Sequence, residues 1–217
     1  MQPLDPLLIS VLSRGTDHLF LGKLLDCIIL NALWFVTSIP LITIGSSTSA
    51  LYYCTLKLSR ESGSSVIGEF FHSFKTNLKS GAKLSVILIP CSIAIALAGR
   101  FYMRALLPLP LVALGCGLCL LFAVIYLIEI LYVFPLLARF ENTTAAMLKN
   151  AFVVGIRFPL CTVMMAVIHI AIFYIGYKYF FPIFFLGEGF CAFICSYLLK
   201  PVFALLEAGS LHEEKEL

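Results

Sequence analysis

Apolar residues run almost unbroken over residues 24–44, 84–104, 108–137, 158–180 and 182–206, separated by shorter segments where Lys, Arg, Ser and Gly collect. A hydrocarbon core about 30 Å thick takes roughly 20 apolar residues to cross as a helix rising 1.5 Å per residue. Each run is long enough, so the pattern predicts an all-α, polytopic transmembrane helix bundle of five spans. The first run begins well inside the chain and four of similar strength follow it, which reads as a retained span rather than a cleaved leader.

The connections have patterns of their own. Residues 1–23 mix Leu and Phe with Arg14, Asp17, His18 and Lys23 and are too polar to span, so they predict an interfacial N-terminal segment. The first span ends at Pro40, which lacks an N–H and cannot continue a helix, and Thr43, Gly45, Ser46, Ser47 and Thr48 follow. The next stretch, SALYYCTLKLSR, is helical in composition but too short to cross alone, which makes it either a re-entrant half-helix or an interfacial one. If the segment 40–58 crosses twice, the chain has six spans instead of five.

The longest polar segment, 59–83, carries Val66, Ile67, Phe70, Phe71, Phe74, Leu78 and Ala82 at helical spacing, with His72, Lys75, Asn77 and Lys79 between them. Two readings fit. Either this amphipathic helix lies in the membrane surface, Lys75 and Lys79 drawn to anionic lipid, or its phenylalanines pack on the bundle. A second amphipathic stretch, TTAAMLKNAFVVGIRF, precedes the fourth span in the same way, and the acidic tail 207–217 is expected to be mobile. All of this belongs to one transmembrane domain, 1–217.

Composition agrees with the pattern: 61% of the 217 residues are hydrophobic, 12% are charged and mean hydropathy is +1.02. A soluble domain carries about 25% charged residues. With a net charge of +3 and basic residues scattered between apolar runs, the continuous basic stripe of a nucleic-acid-binding protein is missing, and no nucleic-acid partner is expected. Counting Lys and Arg by side places Lys57, Arg60, Lys75, Lys79, Lys83, Arg139, Lys149, Arg157, Lys200 and Lys215 against Arg14, Lys23, Arg100, Arg104 and Lys178. That excess predicts a plasma-membrane protein whose 59–83 loop, 138–157 loop and C-terminus are cytoplasmic.

Candidate chemistry is sparse. Charged groups inside a membrane are costly and tend to be paired or functional, which singles out Glu129 in the third span and His169 in the fourth. Glu129 lies ten residues from Arg139 and His169 twelve from Arg157, so if both arginines mark the same membrane face the two depths differ by only about 3 Å. They are candidates for an intramembrane polar pair, structural or proton-responsive. The hydroxyl-rich break at Thr43, Gly45, Ser46, Ser47 and Thr48 is a candidate polar site, because a capped helix start can leave N–H groups facing a cavity; an ordinary capped turn is the alternative. Asp26 and Asn31 read as interhelical hydrogen-bonding residues. Cys116 and Cys119 form a CxxC, but in an apolar helix with no basic neighbour to stabilise a thiolate. Asn142-Thr143-Thr144 is a glycosylation sequon placed on the cytoplasmic side, where it would not be modified. No catalytic residues, cofactor or metal are expected, and the chain does not read as an enzyme.

The stretch LNALWFVTSIPLITIGSSTSALYYCTLKLSR, followed by EFFHSFKTNLKSGAKLS, resembles the YesL-like family of small bacterial membrane proteins. Asn31, Trp34, Pro40, Thr43, Gly45, Ala50, Leu51 and Tyr52 carry the first block, and Phe70, Phe71, Phe74, Lys75, Asn77 and Lys79 the second. Ser46 departs from the family pattern, which has proline or a similar residue there. The resemblance implies a multi-spanning protein whose relatives are often encoded beside carbohydrate ABC-transporter and two-component genes. It points to a non-enzymatic accessory of carbohydrate uptake, with membrane lipid and ABC-transporter or sensor-kinase subunits as partners. The alternative is a small transporter or channel using the broken first helix and the Glu129 and His169 pair.

Overall fold

A computed structural model describes residues 6–59, 65–104, 108–179 and 181–213. Within them the chain is all α. α1 (Pro6–Thr37) is followed by a single 3-10 turn at Leu41–Thr43, then α2 (Ile44–Leu58), α3 (Val66–Thr76), α4 (Leu78–Arg104), α5 (Leu109–Arg139), α6 (Thr144–Arg157), α7 (Pro159–Tyr179) and α8 (Phe181–Glu213).

α4, α5, α7 and the Gly187–Ala208 part of α8 are long and apolar enough to cross a membrane, and they match the last four expected spans. The first expected span, 24–44, is not one helix. α1 ends at Thr37 and a new helix begins at Ile44, because Pro40 cannot donate and disfavours a helical residue before it. On its other side α1 extends back without a break to Pro6, so residues 6–23 are helical and continuous with the start of the first expected span. α4 likewise begins at Leu78, six residues before the expected start of its span, and α8 runs on to Glu213, so most of the acidic tail is helical. Residues 1–5 and 214–217 lie outside the described residues.

α2 is the centre of the bundle. Its 15 residues rise only about 22 Å, short of a full crossing. It nevertheless touches α1, α3, α4, α5 and α8, and Gly45 to Tyr52 are all buried. α3 runs back along α2, with Lys57 paired to Glu69 near the tip, while Ser46 at the base reaches the carbonyls of Asn77 and Leu78. The hairpin thus starts and ends against the first turn of α4, and α2 is not among the helices long and apolar enough to cross a membrane by themselves. Phe70 is fully buried, stacked with Phe74, whereas Phe71, His72, Lys75 and Lys79 are exposed. Of the two readings of the amphipathic segment, packing of its phenylalanines on the bundle is met by Phe70 and Phe74, and the exposed face carries Phe71 and Lys75.

Close approach at the base depends on two glycines. A Cβ on Gly45 would collide with the carbonyl oxygen of Gly81, and one on Gly81 would lie 2.5 Å from the backbone nitrogen of Ser46. Small residues that let helix backbones meet are a main source of packing energy where lipid leaves no hydrophobic drive. Gly81→Val is expected to destabilise the protein by at least the roughly 1–3 kcal/mol typical of overpacking. Gly117→Val, where a Cβ meets nothing within 4 Å, should leave the melting temperature in detergent unchanged. Thermal melting followed by size exclusion compares the two, and equal behaviour would remove the close contact as a determinant of the fold.

Candidate functional site

The break between α1 and α2 creates backbone groups that must find partners inside the protein. The Thr43 hydroxyl sits 2.6 Å from the carbonyl of Thr37 and 2.7 Å from that of Pro40, at the end of α1. At the start of α2, the N–H of Gly45 donates to Ser85 Oγ at 2.8 Å. Ser46 Oγ donates to the Leu78 carbonyl at 3.1 Å, Ser47 Oγ donates back to Thr43, and Thr48 Oγ1 accepts from Trp34 Nε1 at 3.0 Å. Helix α2 begins before these hydroxyls, so Ser46, Ser47 and Thr48 occupy its first turns and bind neighbouring helices and turns. The candidate polar site at 43–48 is therefore a knot of local and interhelical hydrogen bonds. Ser49 Oγ is buried there without a hydrogen-bond partner among the described residues.

Further polar ties fasten α8. Asn31 Oδ1 accepts from the N–H of Gly189 at 2.7 Å, the interhelical role expected of Asn31, and Gly189 must be glycine because a Cβ would lie 2.8 Å from that of Asn31. Ser196 Oγ lies 2.9 Å from Thr55 Oγ1 on α2, both fully buried.

Glu129 and His169 are not in hydrogen-bond contact. Glu129 Oε2 is buried with no hydrogen-bond partner among the described residues. His169 Nδ1 lies 2.8 Å from the carbonyl of Met165 and 3.9 Å from Cys195 Sγ on α8. The reason lies in α6. It folds back along α5 so that Gly155 packs on Ile128 and Tyr132, and Tyr132 OH meets Thr162 Oγ1 at 2.9 Å. Arg157, at the end of α6, is thereby about two to three turns deeper than Arg139. Depths counted from the two arginines do not share an origin.

What His169 does face is α8. Glu188, half-buried near the start of that span, is within electrostatic reach of His169. Glu188, Cys191 and Cys195 in turn act on the buried hydroxyl of Tyr52, in the middle of α2. An acid, an imidazole and a phenol from three helices thus converge at the bundle interior. Sequence reading missed Glu188 because it sits inside the fifth apolar run without a polar neighbour, and it missed Tyr52 because a tyrosine among apolar residues gives no signal of its own.

All eight cysteines are free thiols. Cys54, in α2 and outside the four spans, has its thiol pushed up to about 12, by burial first and by the nearby Glu69 carboxylate second. Such a thiol is protonated and inert at neutral pH. Among the described residues, no three His, Cys, Asp or Glu side chains gather as a metal site.

At the end of the bundle where α3 passes into α4, ion pairing and cavities bring the basic loops together. Arg139 Nε donates to Glu207 Oε1 at 2.7 Å, and a cavity of about 150 Å³ beside it is lined by Tyr53, His72, Thr76, Arg139 and Glu141. Lys75, Lys79 and Arg139 therefore share one end, while Arg104 and Lys178 close the far ends of α4 and α7.

Residues 27–98, about a third of the chain, match a family described as a protein of unknown function, DUF624. The matched stretch covers the last third of α1, the α2–α3 hairpin and most of α4, including the Gly45–Gly81 contact. No curated protein and no solved structure matches the chain.

The geometry around His169 gives a testable asymmetry. In a double-mutant cycle of stability in detergent, Glu188→Gln with His169→Gln should couple by about 0.5–3 kcal/mol, the range for residues in one network. Glu129→Gln with His169→Gln should be additive within about 0.5 kcal/mol. The reverse pattern would restore the Glu129 and His169 pair.

Proposed function

We propose that this chain is a non-enzymatic accessory or regulatory component of a bacterial carbohydrate-uptake system, seated in the plasma membrane with its C-terminus in the cytoplasm. The observation that carries the reading is the outer half of the α4–α5 hairpin. Between Leu109 and Val124 on α5, large side chains are uncovered all round the helix, among them Leu111, Leu114, Leu118, Leu121 and Phe122, and only Gly115 is buried, against Tyr102. Leu97, Phe101 and Met103 on α4 are equally bare. A hairpin that projects from its own core offers a side on which the membrane helices of another protein can pack. Small residues at Ala113 and Gly117 allow close approach there. The carbohydrate setting comes from the YesL-like resemblance, whose two blocks fall within the stretch that matches the family of unknown function. The cytoplasmic assignment follows from the basic end at Lys75, Lys79 and Arg139.

A second reading, a small independent transporter or channel, is favoured by the convergence of Tyr52, His169 and Glu188 and by the buried Oε2 of half-buried Glu129. The two readings separate in one experiment. Affinity purification of the tagged protein from native membranes in mild detergent is expected to bring down ABC-transporter or sensor-kinase subunits in stoichiometric amount. Gly117→Trp should reduce that recovery at least tenfold while the variant itself stays monodisperse. Recovery of the wild-type chain alone would overturn the accessory role and favour the transporter, to be measured by flux into liposomes.

A further inference from the structure

We infer that the groove between α4 and the start of α6 is a binding site for one anionic phospholipid. The groove, about 440 Å³, is lined by Ala82, Lys83, Val86, Ile87 and Thr144. Its floor is almost wholly apolar, with Val86 57% and Ile87 42% exposed. Its rim is not. Lys83 stands at the edge with its side chain exposed, and Lys79 lies one turn above on the same face of α4.

The order of these groups along α4 decides what the groove takes. Lys79 and Lys83 belong to the first two turns of a membrane-spanning helix, at the end that also carries Lys75 and Arg139, so they sit where lipid phosphates lie. Val86 and Ile87 follow one turn deeper, at the level of acyl chains. Positive charge above an apolar trough is complementary to an anionic headgroup above a hydrocarbon tail. An apolar helix from a partner would cover the trough and strand two lysines. A soluble anion would meet the lysines and leave the trough empty. Among the described residues neither Lys79 nor Lys83 is drawn into an ion pair: the pairs formed near this end are Lys57 with Glu69 and Arg139 with Glu207. Two lysines near an anionic surface are expected to raise retention about thirtyfold.

Native mass spectrometry of protein extracted in mild detergent from membranes holding phosphatidylglycerol and phosphatidylethanolamine tests the site. The wild type should retain one phosphatidylglycerol. The double variant Lys79→Gln/Lys83→Gln should lose it at least tenfold, and so should Val86→Trp, which fills the trough and keeps both charges. Arg100→Gln/Arg104→Gln, an equal change of charge at the other end of α4, should keep it. Retention by both groove variants, or equal loss in the control, would overturn the site. A second measurement needs no variant. Wild-type protein in phosphatidylcholine nanodiscs should melt at a higher temperature when phosphatidylglycerol is mixed in and not when inorganic phosphate is added. A rise with phosphate, or none with phosphatidylglycerol, would refute a lipid ligand.

Discussion

A helix broken inside an apolar environment has to satisfy its own loose ends, because hydrocarbon offers no water to do it. The structure is organised around that requirement. Pro40 ends α1, and the carbonyls and N–H groups freed between Thr37 and Gly45 are taken up by Thr43 on one side of the break and Ser85 on the other. Ser85 belongs to α4, so the break can close only if α4 lies against it. Gly45 and Gly81 allow that approach, and Ser46 ties α2 to the first turn of the same helix. The stretch that matches the family of unknown function contains every residue of this arrangement.

Placing α2 in the middle decides where polarity can collect. α2 carries Thr48, Tyr52 and Thr55 on one face, four and three residues apart, and along it they meet Trp34 of α1, the Glu188 neighbourhood of α8, and Ser196 of α8. Interhelical hydrogen bonds of this kind average only about 0.6 kcal/mol in membrane proteins. Their larger effect is on specificity, since each donor or acceptor would be stranded in any other register. Many apolar side chains on the outer parts of α4, α5 and α7, such as Leu97, Leu118 and Ile170, are exposed instead.

The amphipathic segments show how one pattern can serve two surroundings. On α3, Phe70 enters the core while Phe71 and Lys75 stay outside, and Lys79 is exposed at the start of α4, so one face of the segment is a wall of the bundle and the other is open. On α6, Met147, Ala151 and Val154 are buried, and the helix leans back along α5 instead of lying flat. That lean opens the groove against α4 and also sinks Arg157 below Arg139.

The sequence by itself determined the class of the protein: apolar runs long enough to cross a membrane can only be helices, and four of the five lie where the runs were drawn. It also marked the break, because proline has no N–H wherever it stands, and it marked Asn31 as an interhelical residue. Only the tertiary structure decided that the break lies at the base of a buried hairpin, since burial of α2 depends on five other helices. The partner of His169 was equally beyond sequence reach. Depth along one helix can be counted from its own end, but the relative depth of two helices depends on how the connection between them runs, and α6 runs inward. Glu188 came into view only when α7 and α8 were laid side by side, because the electrostatic effect of one charge on another depends on distance through space.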